Sequence, residues 1–439
     1  MSQYRTPPVI LRGQTLAFNG NPFKQDPSST LRHECDGAVM LEGGRIIAAG
    51  RAGDVISANP GYDVTHYGDD ALIMAGFVDT HMHYPQTDIV ASYGEQLLEW
   101  LERYTFPEEQ RYGDPDYARL MADVFLEQCL RNGTTSASVY ATVHPESVDA
   151  FFQAASDRNM RMACGKVCMD RNAPAELIDT AQTAYDQSAA LLKRWHGKGR
   201  NTYAITPRFA PTSTPEQLEA LGALWQENPN ALMQTHISEN AEEIKWVTEL
   251  FDDLPDYFGV YDAFGLTGPG AIFGHAIHLT DRERAAMAAS GSAIAHCPTS
   301  NAFLGSGVFN MAVNRGTPIS LASDVGGGPD FSMFATLRAA AQAARYHGHS
   351  LHPVQAFWLA TIGGAEVLRM GDRVGNLAVG MEADLTVLDL KSTEQIARRI
   401  DRAENIEDTL FAQMILADDR AVRETWIGGV RQYQATLDR

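Results

Sequence analysis

Cysteine and long apolar runs are both scarce in this sequence, and each shortage narrows its class. The five cysteines are odd in number and scattered, and no CxxC motif occurs. A disulfide framework is therefore not expected, whereas a reducing compartment such as the cytoplasm is. No apolar stretch approaches the roughly 18 residues that a membrane span needs, and the opening residues, MSQYRTPPVILRG, lack a signal-peptide pattern.

Basic residues are also few relative to acidic ones. Lys and Arg total 35 against 55 Asp and Glu, which gives a net charge of −20 and an isoelectric point of about 5.0. Nucleic acids and anionic membranes both favour basic surfaces, so neither is expected as a partner. Because 44% of the 439 residues are hydrophobic, the chain can bury a large core, and a small-molecule substrate is the simplest expectation.

The two ends of the chain share a pattern of β-branched runs separated by glycine turns. VILRGQTLAF and AVMLEGGRIIAAG lie near the start, and NLAVGMEADLTVLDL and ETWIGGVRQY lie near the end. Glycine pairs between such runs are typical of hairpins. We therefore predict one small β-sandwich domain built from residues 1–70 and 371–439, with a larger domain, 71–370, inserted between them.

Inside the larger segment, short apolar strands alternate with longer helical stretches, which is typical of βα units and a parallel sheet. Eight strands can be counted: 73–83, 135–142, 160–170, 202–210, 232–239, 271–279, 292–301 and 318–326. Eight repeats predict an α/β fold with a TIM-type (β/α)8 barrel. In that fold the chemistry lies at the carboxyl ends of the strands.

The first connection, 84–111, is unusually long and contains the amphipathic stretch EQLLEWLERYTFPEEQ. Pattern alone leaves two interpretations open. The stretch is either an extra helix packed on the barrel surface or a lid that covers the barrel mouth and excludes water.

Side chains that can bind metals or move protons follow the ends of the predicted strands. His81 and His83 end the first strand, and a spacing of two places both on one face of a strand. The later ends add Arg208 with Phe209, His236 with Glu239, His275, and Asp324. Three imidazoles and one carboxylate suit Zn²⁺ or Fe²⁺, so the pattern predicts a metal site with a position left for water.

Other residues near these ends have simpler interpretations. His278 lies three residues after His275 and is expected to be structural, whereas His296 suits core packing as well as a supporting role in the site. Cys297 has no assigned base and is expected to be a buried thiol.

Seven segments, in chain order, resemble the guanine-deaminating members of the amidohydrolase superfamily, and the resemblance covers essentially the whole chain. They are GFVDTHMHYPQ, LLEWLERYTFPEE, GKVCMDRNAP, TPRFAPT, QTHISEN, AHCPTSN and SDVGGG. That superfamily pairs the barrel with a small β-domain made from both chain ends, as the strand pattern also predicts. The resemblance implies a cytoplasmic enzyme of purine catabolism that forms homodimers.

The resemblance also implies a metal site. His81, His83, His236 and Asp324 would hold one Zn²⁺ per subunit. Members with two metals commonly bridge them with a carboxylated lysine, and Lys166 is the nearest candidate here. Lys166 lies inside its predicted strand rather than at the end, which favours a single metal.

The implied reaction is hydrolysis of guanine to xanthine and ammonia. Asp324, beside the metal, would take a proton from water, His275 would stabilise the tetrahedral centre, and Glu239 would protonate ring nitrogen N3. The purine would lie among Gln86, Arg208, Phe209, His236, Glu239, His275 and Asp324. A guanidinium can engage O6 and N7 of guanine, and an amide such as Gln86 offers both a donor and an acceptor.

Two alternatives stay open at this point. The chain could be an aminohydrolase for another purine, a pyrimidine, a pterin or a triazine, with Arg208 as the residue whose substitution separates the cases. It could also be a non-catalytic relative that keeps the barrel for assembly, although such relatives usually lose metal ligands and this chain has all four.

Overall fold

The computed structural model describes residues 8–93, 96–314 and 316–436, and the named strands of these residues form two sheets. The smaller sheet contains Val9–Phe18, Leu31–Glu42, Arg45–Arg51, Asp63–His66, Ala71–Ala75, Leu385–Asp389, Val422–Ile427 and Val430–Gln434. Ala71–Ala75 pairs in parallel with Val9–Phe18 and antiparallel with Leu385–Asp389, so it links the two chain ends. The predicted small β-domain from both ends is confirmed.

The larger sheet is a parallel barrel with eight strands in sequence order. We number them barrel strands 1 to 8: Phe77–His83, Thr134–Tyr140, Arg161–Gly165, Thr202–Pro207, Leu232–Ile237, Ala271–His275, Ala293–His296 and Ile319–Leu321. A short strand, Val167–Cys168, adds to strand 4. Strands 1 and 8 meet through Oγ of Thr80 and Ser320, 2.8 Å apart, and through the Asp324 amide, which donates to the His81 carbonyl oxygen at 2.9 Å. The TIM-type barrel is confirmed.

Helices surround the barrel and connect its strands. The main ones are Pro115–Arg131, Pro145–Asp157, Ala181–Trp195, Pro215–Glu227, Ala241–Leu250, Tyr257–Ala263, Asp281–Ser290, Pro298–Phe303, Met333–Tyr346 and Pro353–Trp358. Several begin at a residue whose side chain accepts hydrogen bonds from the free amides of the first turn, as Asp114, Thr180 and Thr280 do. Ala52–Ala58, Glu394–Ile400 and Ile406–Leu416 belong to the two chain ends.

The barrel interior is filled with small and branched apolar side chains. One packed cluster contains residues from six barrel strands, which only the interior brings together: Val78, Ala163, Ala204, Leu232, Ile272, Ala293 and Ala295. This packing closes the middle of the barrel, so the strand ends form a floor for a site at the mouth.

Several predicted strands differ from the observed ones in length. The run 73–83 is divided between Ala71–Ala75 in the small sheet and Phe77–His83 in the barrel, although the barrel domain was predicted to begin at residue 71. Gly76 separates them, and a Cβ there would approach the Thr135 side chain to 2.1 Å. The predicted strand 292–301 ends at His296 and continues as the helix Pro298–Phe303. Gly76 and Pro298 stand at these changes of direction, but a glycine inside a strand pattern is as consistent with a bulge as with a change of sheet.

Among the described residues, no helix combines the length and apolar character needed to cross a membrane.

Candidate active site

Three histidines from two barrel strands converge at the mouth. His81 and His83 occupy alternate positions of strand 1, and His236 lies near the end of strand 5. Nε2 of His81 lies 3.1 Å from Nε2 of His236 and 3.2 Å from Nε2 of His83. The third pair, His83 and His236, is 3.2 Å apart. Thus the strand spacing that raised the metal hypothesis does place the imidazoles around one point.

Asp324 completes the set. Its Oδ1 lies 3.4 Å from Nε2 of His81 and 3.3 Å from Nε2 of His83. A tetrahedral Zn²⁺ with bonds of about 2.0–2.1 Å has ligand atoms about 3.3 Å apart. The separations among the three imidazoles, and those from Asp324 to His81 and His83, match this value. The opposite carboxylate oxygen, Oδ2, lies 3.7 Å from Nε2 of His275. One oxygen of Asp324 therefore faces the metal position and the other faces His275.

The backbone of the loop that carries Asp324 is strained at that residue. Asp324 has a positive φ of 53°, a conformation that side chains rarely adopt and that often marks functional sites. The glycines that follow allow a tight turn, because a Cβ on Gly328 would lie 1.9 Å from the Ser323 carbonyl oxygen. The strained backbone fixes the carboxylate against strand 1.

Burial favours the neutral form of two of these imidazoles, His81 and His236. It lowers the pKa of His81 to about 4 and lowers the pKa of His236 well below its usual value. Burial would raise the pKa of Asp324, but hydrogen bonds with His81 and His83 outweigh it, so the pKa lies well below the usual range. Neutral imidazoles and an ionised carboxylate are the protonation states that a metal requires.

Glu239 and His275 lie beside this set. Oε2 of Glu239 is 3.4 Å from Nε2 of His275, and both side chains are almost fully buried. Burial raises the pKa of Glu239 to about 7, although a hydrogen bond from Ser306, at 3.0 Å, lowers it in part. Burial lowers the pKa of His275, but the charges of Glu239 and Asp324 outweigh this and leave it raised. A carboxyl group with a pKa near neutrality can both donate and accept a proton.

The predicted substrate residues line the same cavity. It has a volume of about 420 Å³ including its opening, and its wall contains Gln86, Arg208, Phe209, His236, Glu239, His275 and Asp324. Leu97, Trp100 and Leu101 of the connection 84–111 also line it. This part of the connection therefore covers the mouth; Gly94 and Glu95 of the same connection lie outside the described residues.

Three residues that the sequence does not predict, Glu109, Asn301 and Ser306, bond to predicted site residues. Glu109 accepts hydrogen bonds from Gln86 at 3.1 Å and from Arg208 at 2.6 Å. Asn301 Oδ1 lies 2.9 Å from Nδ1 of His275, and Ser306 donates to Glu239. All three lie in helices or loops where the sequence shows no local pattern that distinguishes them.

Of the remaining candidates, His278, His296 and Lys166 lie outside the converging set, whereas Sγ of Cys297 lies within 4.8 Å of ligand atoms of His81, His275 and Asp324. Nε2 of His278 bonds the Ser306 carbonyl oxygen at 2.8 Å, and His296 packs against Phe309 with ring centres 4.6 Å apart. Cys297 is a fully buried thiol whose pKa burial raises. Lys166 is fully buried and ion-paired with Asp179, so its ammonium group already has a partner.

Comparison with known proteins agrees with this geometry. The model of the amidohydrolase family matches residues 72–431. The chain is 45% identical over 414 residues to guanine deaminase of Escherichia coli (strain K12), an alignment that covers 93% of this chain and 94% of that protein. The fold is similar to the structure of E. coli guanine deaminase, with a TM-score of 0.94, 44% identity and coverage of 98% of this chain and 100% of that one.

A second solved structure has a ligand. Guanine deaminase from C. acetobutylicum with guanine bound in its active site has a TM-score of 0.87 and 27% identity, and the match covers 97% of this chain and 100% of that chain. The chain therefore belongs to the amidohydrolase family. Within that family, these similar proteins are guanine deaminases.

Proposed function

We propose that this protein is an enzyme that hydrolyses guanine to xanthine and ammonia. The observation that carries the proposal is the convergence of three imidazoles, His81, His83 and His236, whose Nε2 atoms lie 3.1–3.2 Å apart. Asp324 lies 3.3–3.4 Å from two of them, in a cavity that also contains Glu239. Relatives that cover most of the chain have this activity by name.

These four residues would hold one Zn²⁺ per subunit. Zn²⁺ lowers the pKa of a bound water to about 7 and so supplies a nucleophile at neutral pH. Imidazole suits both Zn²⁺ and Fe²⁺, and the metal content of the purified protein distinguishes them.

The protein side chains would move the protons. Oδ2 of Asp324 faces His275 and is positioned to take the proton of the attacking water, while Oδ1 faces the metal position. His275 would donate a hydrogen bond to the oxygen that adds to C2. Glu239, whose pKa is raised to about 7 by burial, would deliver a proton to N3. Return of a proton to the amino group releases ammonia and leaves xanthine.

The purine would lie against Phe209, with Gln86 and Arg208 at its edge. Nη1 of Arg208 is bonded to Glu109, and the rest of the guanidinium is available to acceptors such as O6 and N7. Leu97, Trp100 and Leu101 would cover the base and exclude water.

Purified protein loaded with zinc tests this proposal against guanine, adenine, cytosine and 8-oxoguanine, with ammonia release as the readout. We expect turnover of guanine and bound zinc near one per subunit. If Arg208→Ala loses activity only towards oxopurines, the result would support guanine as the substrate. Turnover of another purine, a pyrimidine, a pterin or a triazine instead would favour a different aminohydrolase, and absence of both metal and turnover would favour a non-catalytic assembly role.

We also propose that the enzyme works in the cytoplasm as a homodimer. The cysteines of the sequence are scattered, and in the structure all five are free thiols, which is compatible with a reducing compartment. Light scattering of the purified chain measures the oligomeric state, and fractionation of cells that express it measures the location.

A further inference from the structure

Glu109 lies at the point where the connection 84–111 and the predicted substrate residues meet. It ends the short helix Phe106–Glu109 in the connection 84–111, and it is 1% exposed. Oε1 accepts from Nε2 of Gln86 at 3.1 Å, and Oε2 accepts from Nη1 of Arg208 at 2.6 Å. One buried carboxylate thus holds both side chains that face the edge of the substrate.

The carboxylate settles which way the Gln86 amide points. An ionised carboxylate can only accept hydrogen bonds, so the amide must turn its NH₂ group towards Glu109. The oxygen of Gln86 then points away from Glu109, and it makes no hydrogen bond within the part of the chain that the structure describes. Gln86 therefore offers the cavity an acceptor, whereas the amide alone could have offered either group.

Arg208 offers the opposite chemistry next to it. A guanidinium is a donor only, and the ion pair with Glu109 holds its Nη1 in place. The wall of the cavity thus presents donors from Arg208 and an acceptor from Gln86, side by side. This pair matches a purine with a carbonyl oxygen next to a ring N–H, as at O6 and N1 of guanine. A 6-aminopurine has both positions inverted, with an NH₂ donor next to a bare ring nitrogen.

We propose that Glu109 is a positioning residue that makes the site selective for 6-oxopurines over 6-aminopurines. It acts through Gln86 and Arg208 and does not itself contact the substrate. This inference rests on the proposed function, because it assumes that the cavity binds a purine.

The first variant is Glu109→Gln, which keeps the size of the side chain but adds an NH₂ donor. The amide introduced by this substitution can donate to the oxygen of Gln86, so the Gln86 amide is free to turn its NH₂ group towards the cavity. We expect kcat/KM for guanine to fall about tenfold or more, mainly because KM rises. A loss of this size corresponds to one charge-assisted hydrogen bond. We also expect the ratio of dissociation constants for adenine and xanthine, measured by calorimetry, to narrow about tenfold.

Glu108→Gln is the matched control. Glu108 precedes Glu109 on the same helix and is 8% exposed, but it pairs with Arg111 and Tyr117 instead of residues of the cavity. It should keep the selectivity of the wild type. Zinc content and thermal unfolding of each variant show whether it has folded.

The exchange Gln86→Glu with Glu109→Gln provides a rescue. The new carboxylate at position 86 offers only acceptors to the cavity, whichever way residue 109 points. The new amide at position 109 can donate to it and accept from Arg208. The net charge of the group is unchanged. We expect this double variant to recover most of the selectivity for xanthine over adenine.

Three results would each overturn the proposal. The first is wild-type selectivity in Glu109→Gln, and the second is an equal loss of selectivity in Glu108→Gln. The third is an exchange variant that binds zinc and folds but does not recover selectivity. Failure of the wild type to deaminate guanine is a separate outcome that counts against the proposed function, because the binding ratio is measured without turnover.

Discussion

Nδ1 of His236 lies 2.7 Å from the backbone carbonyl oxygen of Arg208. Because a carbonyl oxygen only accepts, the proton of a neutral His236 must lie on Nδ1, and Nε2 keeps its lone pair for the metal. The same stretch of chain thus orients a proposed metal ligand through its backbone and lines the cavity through its side chain. The proposed metal site and the proposed base site share this support at the ends of barrel strands 4 and 5.

The metal site yields the first prediction. His83→Gln removes one of the three nitrogens while keeping a polar side chain, so we expect bound zinc to fall well below one per subunit. Because the metal supplies several kcal/mol of catalysis, kcat/KM should fall about a thousandfold or more. Metal analysis and ammonia release measure both effects. His33→Gln is the control, since His33 bonds Gln14 within the small sheet; an equal loss of zinc there would contradict the assignment.

The pH dependence follows from Glu239. Burial raises its pKa to about 7, so it carries a proton below about pH 7 and loses it above. If Glu239 donates to the substrate, kcat should be highest below that pH and should fall about tenfold per pH unit above it. A pH profile with saturating guanine tests this. Glu239→Gln cannot release a proton and should be inactive while still binding zinc; an active variant would remove Glu239 from the mechanism.

Ser306 should affect the pH at which kcat falls on the alkaline side of the profile. Its hydroxyl donates to Oε1 of Glu239 at 3.0 Å and lowers the pKa of that carboxyl group. Ser306→Ala removes the bond, so the pKa should rise and the alkaline limb should move to higher pH by about half a unit to one unit. Ser306→Thr keeps a hydroxyl and should leave the profile in place. A limb that stays fixed in Ser306→Ala would show that it belongs to another group.

The barrel and its converging strand ends could be predicted because each rests on a repeated pattern. Strands alternate with helices eight times, and His81 with His83 shows the period of a strand. Glu109 illustrates what such patterns cannot give. Glu108 and Glu109 are identical neighbours in sequence, yet one pairs with Arg111 near the surface and the other with Arg208 in the cavity. Which of the two glutamates faces Arg208 depends on how the helix Phe106–Glu109 is rotated over the end of barrel strand 4.

The division of 73–83 into two strands has a similar cause. Both halves are fully buried, and Gly76 is the one residue between them. A single glycine inside a strand pattern more often signals a bulge or a close approach of backbone than a change of sheet. Asn301 and Ser306 cannot be predicted from the sequence, because they bond His275 and Glu239 from other strand–helix units. Contacts between units depend on how the barrel closes, which local sequence does not encode.

Gly326 should be essential for placing Gln86. It has a φ of 115°, and a Cβ there would approach Oε1 of Gln86 to 2.0 Å. Gly326→Ala should therefore displace the amide from its place beside Glu109, and a shift of about 1 Å in a positioned group costs about a hundredfold in activity. We expect the loss mainly in KM for guanine, measured by steady-state kinetics.

The control for Gly326→Ala separates this contact from backbone strain. Gly61 has a φ of 93°, and a Cβ there meets nothing within 4 Å. Gly61→Ala should lower the unfolding free energy by about 1–3 kcal/mol through strain but should leave KM and kcat unchanged. If Gly326→Ala only shifts the melting temperature, as Gly61→Ala should, then Gln86 is not held by this contact. If Gly326→Ala raises KM while zinc stays bound, then the absence of a side chain at Gly326 makes room for Gln86, the proposed substrate-binding residue.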